Sequence, residues 1–299
     1  MKIDVLIPHY NDLQGLTRSL VSVRKQNWDG GVRAIVADDG SDAETRVMLE
    51  RLVKDCGLEV KLILNAENKG RPYTRNVLLQ ATDAPVVTWL DAGDEWYPAK
   101  LSVQAEALSR LPKVSMDKVW VTCSYDLVWP RGEPRTKVVR TDGDQLRSVL
   151  EGRLLGYLWT MMGTRDSFLN VGKFDAELPR LQDTDFVIRF LSGGGRIVNV
   201  DNEEPLCIYY KFDHGKSSRQ VYACSQHILR KHSNIYRSFG TRFHSKVKFH
   251  YEILAARFAG NNGDRSNHRH HLFEALKLRP MRFCRFALRG RLPKLVSKL

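Results

Sequence analysis

The sequence is short of the features that would place it at once. No apolar run approaches the ~18 residues needed to span a bilayer. Asp4, Pro8, Asn11 and Asp12 break up the N-terminus before the apolar stretch of a secretory signal can form. Cysteine is scarce and scattered: Cys56, Cys123, Cys207, Cys224 and Cys284 include no C-x-x-C pair. An odd, dispersed set argues against a disulfide frame or a zinc knuckle and fits reduced cytoplasmic thiols. With 21 Gly and 11 Pro there is no collagen-like or low-complexity tract. The nucleotide loops G-x-G-x-x-G, after the first strand, and G-x-x-x-x-G-K-[ST], anywhere, are missing too, which disfavours a dinucleotide fold and a P-loop.

Acidic residues are missing from one region only. Residues 1–215 hold 28 Lys+Arg against 31 Asp+Glu, a net of −3, whereas residues 216–299 hold 19 against 3, a net of +16. The whole formal charge of +13 therefore comes from the last stretch. Such asymmetry predicts a neutral working domain with a basic appendage that faces an anionic partner. Composition and periodicity both change near 215–220, which sets the expected domains at 1–218 and 219–299.

The apolar pattern predicts strands at 2–7, 32–37, 59–64 and 86–90, separated by helices. Asn11 or Asp12 can cap the first helix, which carries Leu13, Leu16, Leu20 and Val23 on one face. Ser41 and Glu44 have the spacing of a capping box for the second. A third helix is expected over 71–81, and a fourth after Pro98. This β-α-β-α order makes an α/β fold with a mostly parallel sheet flanked by helices. Further strands are expected at 119–128, 135–140, 157–164, 196–200 and 206–211, with a helix at 183–192. Helices at 219–237, 243–259, 266–277 and 280–289 make up the basic C-terminal region.

In an open α/β sheet, ligands bind at the carboxyl ends of the strands. Those ends read Pro8-His9-Tyr10-Asn11, Asp38-Asp39-Gly40-Ser41, Asn68-Lys69-Gly70-Arg71 with Arg75 one turn on, and Asp91-Ala92-Gly93-Asp94. Any one of them reads equally well as turn chemistry. Four in a row at one sheet edge point to a ligand site. Asp91 and Asp94 supply hard oxygens of the kind that hold Mg²⁺ or Mn²⁺ against a diphosphate.

The segments VLIPHYN (5–11), VADDGSD (36–42), NKGRPYTRN (68–76), TWLDAGDEWYPAKL (88–101), VGKFDAEL (171–178), LQDTDFVIRF (181–190) and EPLCIYYKFDHGKSS (204–218) together resemble family 2 glycosyltransferases of the GT-A fold. They stand in family order over about the first 218 residues. The resemblance implies inverting transfer of one sugar from a nucleotide-diphosphate donor, most often UDP, to an acceptor hydroxyl. It implies a nucleotide pocket of Pro8, Tyr10, Asn11, Asp39, Gly70, Arg71, Arg75 and Asp91, with Asp39 on the base and Asp38 supporting the turn. Asp94, Asp91 and His214 would hold the Mn²⁺ or Mg²⁺. Lys216 and Ser218 would meet the diphosphate. Asp183 would be the catalytic base, with Asp185 and Gln182 in support.

Two positions depart from the family pattern. Gly93 stands where a metal-binding carboxylate is usual, and Gln182 where a Glu precedes the base. They favour the alternative of a catalytically silent nucleotide-sugar-binding scaffold. A sugar-phosphate nucleotidyltransferase is a further alternative, and it would need a Gly-rich basic first loop that PHYNDLQG is not. Trp159 and Met162 suit either the sugar pocket or the core. Transmembrane helices and a Q-x-x-R-W motif, marks of the processive members, are missing.

The basic region reads either as a solvated helical face or as a peripheral attachment to the anionic inner face of the plasma membrane. The second reading suits a glycan or lipid-linked acceptor in surface-polysaccharide synthesis. No nucleic-acid module accompanies the charge, so no nucleic-acid partner is expected. The run His268-Arg269-His270-His271 resembles a metal tract, but its spacing fits a surface helix better.

Overall fold

The computed structural model describes residues 1–129, 133–211 and 217–293. The first half alternates as expected: β1 (Ile3–His9), α1 (Leu13–Arg24), β2 (Val32–Asp38), α2 (Ala43–Asp55), β3 (Glu59–Leu64), α3 (Arg71–Ala81) and β4 (Val86–Trp89). Asp12 starts α1 by accepting the Gly15 amide at 2.9 Å, and the helix buries Leu16, Leu20 and Val23 against the sheet. The cap of α2 is Asp42, which accepts the Thr45 amide at 2.8 Å. The expected capping box on Ser41 is therefore not formed, because the Ser41 hydroxyl is turned back to the Asp38 carboxylate.

The middle of the chain holds β5 (Glu95–Trp96), α4 (Lys100–Ser109), β6 (Val119–Thr122), β7 (Ser124–Val128), β8 (Arg135–Lys137) and α5 (Gln145–Leu150). It continues with β9 (Met162–Thr164), α6 (Arg165–Leu169), α7 (Gln182–Ser192), β10 (Arg196–Asn199) and β11 (Pro205–Tyr210). The single strand expected at 119–128 is two strands that part at Cys123 into different sheets. The strand expected at 157–164 is a 3₁₀ turn, Leu158–Thr160, followed by the short β9. Trp159 and Met162 are buried in the core cluster, which settles their two readings in favour of packing.

Seven strands form the main sheet in the order β10-β6-β9-β4-β1-β2-β3. All its pairings are parallel except those of β9, which runs antiparallel between β4 and β6. A second sheet, β5-β11-β7-β8, stands beside it. The central strands are continuous apolar runs such as Ala34–Ala37, as strands covered on both faces must be. Trp120 of β6 stacks on Phe168, Phe186 and Phe190, so α6 and α7 are fixed to the sheet by aromatic contact.

Backbone contacts divide the chain into two compact units. The first holds the described parts of Met1–Leu146, Leu154–Ala176 and Phe186–Phe212, with both sheets. The second holds Arg147–Arg153, Glu177–Asp185 and the described residues beyond. Its helices are α8 (Ser218–Lys231), α9 (Ser233–Ser238), α10 (Thr241–Asn261), α11 (Arg265–Leu278) and α12 (Pro280–Leu288). The helix expected over 219–237 breaks at His232. Phe249, Ile253 and Ala275 form a small core under Phe283 and Phe286. His268 and His271 face inward, His268 to the Ala256 carbonyl at 2.9 Å and His271 to Glu252 at 2.8 Å. They join α11 to α10, so this stretch is neither a metal tract nor wholly a surface face.

Candidate active site

The site begins at the carboxyl ends of β1 and β2, where buried polar groups hold the turns. The Asp39 amide donates to the His9 carbonyl at 2.9 Å. His9 Nε2 accepts the Asp12 amide at 3.2 Å, so its proton sits on Nδ1 and is donated to Asp38 at 2.9 Å. Asp38 also accepts the Ser41 amide at 3.0 Å, and it is fully buried. It supports the turn, as expected. Asn11 has a positive φ of 46°, a conformation Asn tolerates, and it reaches the Ser41 hydroxyl and the Asp42 amide. Pro8 lies half-buried before it, and Tyr10 stands half-exposed at the rim.

Asp39 points the other way, to the loop that follows β3. Its two oxygens accept the Lys69 amide at 3.0 Å and the Gly70 amide at 2.8 Å. Each oxygen keeps a further lone pair for another donor. Gly40 is obligatory here: a Cβ would lie 2.3 Å from the Asn68 nitrogen, at a φ of +76°. Gly70 stands before α3, whose first residue is Arg71. Asp39, Gly70 and Arg71 are thus one connected edge.

Arg75, one turn into α3, is fully buried. Its Nη2 donates to Asp91 Oδ1 at 2.9 Å, and its guanidinium lies 5.6 Å from the centre of the Phe174 ring. Arg71 Nη1 approaches the other Asp91 oxygen at 3.9 Å. Burial works against the Asp91 charge, but Arg75 and then Arg71 outweigh it and hold the carboxyl below its ordinary range. Asp94, three residues on, behaves oppositely. Burial and then the Asp91 charge push its carboxyl well up, while the Tyr210 amide, which donates to it at 3.2 Å, offsets a part.

Sequence reasoning missed what holds this turn. Arg18 of α1 donates to the Gly93 carbonyl at 2.9 and 3.2 Å and stacks on the Tyr210 ring. Ser19 accepts the Gly93 amide at 3.1 Å and donates to the Asp94 carbonyl at 2.7 Å. Gly93 itself has a φ of +103°, a conformation that favours glycine. Both α1 side chains lie about one-quarter of the chain from the turn they grip, and no local pattern reports such a contact.

A divalent cation can be tested against these donors. Asp94 and Asp91 offer hard carboxylate oxygens, the right type for Mg²⁺ or Mn²⁺. Among the described residues, no three His, Cys, Asp or Glu side chains cluster as a ready-made cage. The residues fit a cation that takes most of its shell from water and phosphate oxygens. His214 and Lys216 lie outside the described residues.

The remaining predicted residues belong to the second unit. Gln182 is buried and Asp183 half-buried in the first turn of α7, where the helix dipole favours a carboxylate. Leu181, just before, is held at a φ of +60°, which strains a non-glycine residue. Asp185 is fully buried, with its Oδ1 at 2.8 Å from His232 Nε2 and 2.9 Å from Lys231 Nζ. It anchors α7 to the end of α8. Ser218 is buried at the start of α8, and its neighbour Ser217 caps that helix.

A family model described as Glycosyl transferase family 2 matches residues 4–170. The Escherichia coli UDP-Glc:alpha-D-GlcNAc-diphosphoundecaprenol beta-1,3-glucosyltransferase WfgD is 30% identical over 105 residues, 34% of this chain and 39% of its own. The Erwinia amylovora amylovoran biosynthesis glycosyltransferase AmsB is 22% identical over 214 residues, 70% of either chain. A Staphylococcus epidermidis teichoic acid poly(glycerol phosphate) polymerase is 28% identical over 94 residues, 31% of this chain and 13% of its own. The chain thus matches well under half the length of two of these three relatives. S. aureus TarS 1–349, solved with UDP-GlcNAc, shares the fold at a TM-score of 0.60 and 18% identity, over 95% of this chain and 83% of its own. The mannosyltransferase PcManGT from Pyrobaculum calidifontis, solved with GDP-Man and Mn²⁺, does so at 0.58 and 16%, over 96% and 79%. The family match covers more than half of the chain and includes all four polar strand ends: the protein belongs to glycosyl transferase family 2 and has the GT-A fold.

Proposed function

We propose that the protein moves a single sugar from a UDP-linked donor to an acceptor hydroxyl, with inversion, in the assembly of a surface glycan on a lipid-linked acceptor. The observation that carries the donor half is the unbroken run of contacts Asp39–Gly70–Arg71–Asp91–Asp94 along the edge of the sheet. In this reading Asp39 accepts the imide N–H of the base, beside Pro8, Tyr10 and Asn11. Gly70 lets the backbone approach the nucleoside, and Asp91, held ionised by Arg75 and Arg71, accepts from the ribose hydroxyls. Mg²⁺ or Mn²⁺ would be held by Asp94 with Asp91 and His214, and when bound it neutralises charge on the diphosphate. Lys216 and Ser218 contact that diphosphate as it leaves.

Asp183 is the base. It takes the proton from the acceptor hydroxyl as that oxygen bonds to the anomeric carbon and the bond to the diphosphate breaks. Support comes from the resemblance at 181–190 and from its seat in the first turn of α7, after a strained residue. Buried Gln182 and Asp185 support it. Residues 1–218 bind the donor and perform the chemistry, and residues 219–299 form the basic helical region. The acceptor class is supported by the relatives' printed names, a diphosphoundecaprenol glycan among them.

The test is release of nucleoside diphosphate from a panel of nucleotide sugars, with Mn²⁺ or Mg²⁺ and with EDTA, for the wild type and Asp183→Asn. Release from one UDP-sugar that is lost in EDTA and in the variant is the expected result. Binding without release, even with membrane-extracted acceptors, would favour the silent scaffold. Failure of every nucleotide sugar to bind would overturn the reading.

A further inference from the structure

The last helices carry a surface that donor binding does not use. Residues 279–293 contain five arginines and no acid. Arg279, Arg282, Arg285, Arg289 and Arg291, with Arg242 of α10, line a groove of about 810 Å³ whose wall, among the described residues, holds no Asp or Glu. The hydrogen bonds seen for two of them go to neutral groups. Arg279 donates to the Arg242 carbonyl at 3.3 Å, and Arg282 Nη2 to His250 Nε2 at 2.9 Å. Arg282 Nε is buried without a hydrogen-bond partner among the described residues. Burial and then Arg279 make Arg282 easier to deprotonate than an ordinary arginine. Cations gathered this closely, with no counter-charge in the wall, repel one another until an anion enters.

The outward face of α12 is apolar where a soluble helix would be polar. Met281 is 81% exposed and Leu288 87% exposed, and Cys284 is exposed between them. Positions 281, 284 and 288 share one face of a helix. The opposite face is already occupied, since Phe283 and Phe286 pack on the small core. The apolar stripe is therefore spare, and Arg285 and Arg289 flank it. Nucleic acid would engage the arginines and leave the stripe in water. A bilayer carrying anionic lipid satisfies both, with phosphates for the guanidiniums and the acyl boundary for the stripe.

We propose that α12 lies flat in the headgroup layer of an anionic membrane, with Met281 and Leu288 inserted and the arginine groove seated on lipid phosphates. The proposal rests on this unit's own surface and not on the donor reading.

Co-sedimentation of the full chain with vesicles tests it, using phosphatidylcholine alone and phosphatidylcholine with phosphatidylglycerol, at low and high salt. The chain is expected to sediment with the anionic vesicles only, and to be released by salt. Each neutralised surface arginine should weaken partitioning about fivefold, so Arg285→Gln with Arg289→Gln should weaken it about thirtyfold. Met281→Ser with Leu288→Ser should weaken it several-fold. All four residues are exposed, and thermal melting checks that the variants fold. No sedimentation with anionic vesicles at low salt, or equal sedimentation of wild type and variants, overturns the proposal. Stoichiometric calorimetric binding of inorganic phosphate without vesicle binding would do the same, and would assign the groove to a free anion. Sugar-nucleotide turnover by the same samples reports separately on the donor site.

Discussion

The guanidinium of Arg75 is buried beside the carboxylate of Asp91, and each neutralises the other 2.9 Å away. Removing one partner of such a pair leaves a desolvated charge. Arg75→Met is therefore expected to cost about 3 kcal/mol of stability. Adding Asp91→Asn to it should recover part of that loss. Urea unfolding of the two single variants and the double one measures the coupling. Strict additivity would mean that the pair is held by packing alone.

Asp39 gives the sharpest test of the nucleotide edge. In Asp39→Asn an amide N–H₂ replaces one carboxylate oxygen and faces the Lys69 or Gly70 amide, two donors together. We expect a stability loss of about 1–3 kcal/mol and nucleotide affinity at least about tenfold lower. Calorimetry with UDP, run on a sample still folded by circular dichroism, separates the two effects. Unchanged UDP binding would remove Asp39 from the site.

Asp183 and Asp185 are two residues apart and should fail in different ways. Asp185→Asn strips the carboxylate from His232 and Lys231 in a buried setting, and should cost about 3 kcal/mol. Asp183→Asn should melt closer to the wild type yet lose about 10² to 10⁴ in transfer rate. Melting curves and single-turnover assays on both variants make the comparison. A fully active Asp183→Asn protein would place the base elsewhere.

The second unit should weaken in mild acid. His250 donates from Nδ1 to the Glu151 carbonyl and accepts from Arg282 on Nε2. Burial, then the Arg282 charge, lowers its pKa to about 4, with Lys246 adding to the effect and the Glu151 carbonyl opposing it. The unfolded chain titrates near 6.5, so below that pH the unfolded state takes up the proton first. The stability from neutral His250 is complete above about 6.5 and is lost as the pH falls towards 4. On the order of 1–2 kcal/mol should be gone by about pH 5. His250→Gln should flatten this pH dependence of the melting temperature. An equally steep fall in the variant would assign the acid sensitivity to other groups.

Strands β1, β2 and β4 were legible because buried parallel strands are mostly apolar, the edge strand β3 because Val60, Leu62 and Ile63 stand out beside exposed Glu59 and Lys61, and the polar residues that end all four stand out. Elsewhere the same logic misread the chain. Residues 119–128 read as one strand because Thr122 and Ser124 are both compatible with a strand and no Gly or Pro marks Cys123, where the chain passes from one sheet to the other. Ser41 has the spacing of a cap, but Asp38 competes for its hydroxyl and wins. His268 and His271 looked superficial because their partners, the Ala256 carbonyl and Glu252, lie on another helix. The carboxylates of the candidate site could be named from sequence, whereas Arg18 and Ser19, which shape the Asp91–Asp94 turn, could not. Their roles exist only after α1 has packed on the sheet.

The antiparallel β9 also sets an order of events during synthesis. Strands β2, β3 and β4 each pair with a strand already made, and β1 finds its first partner in β2, the next strand, but β6 pairs only with β9 and β10, both of which follow it at a distance. At ~5–20 residues per second, Val119–Thr122 leaves the ribosome about 2 to 8 seconds before Met162–Thr164. For that interval an apolar strand containing Trp120 has both edges open. The nascent chain is therefore most exposed to aggregation, and most in need of a chaperone, at its middle rather than at its basic end.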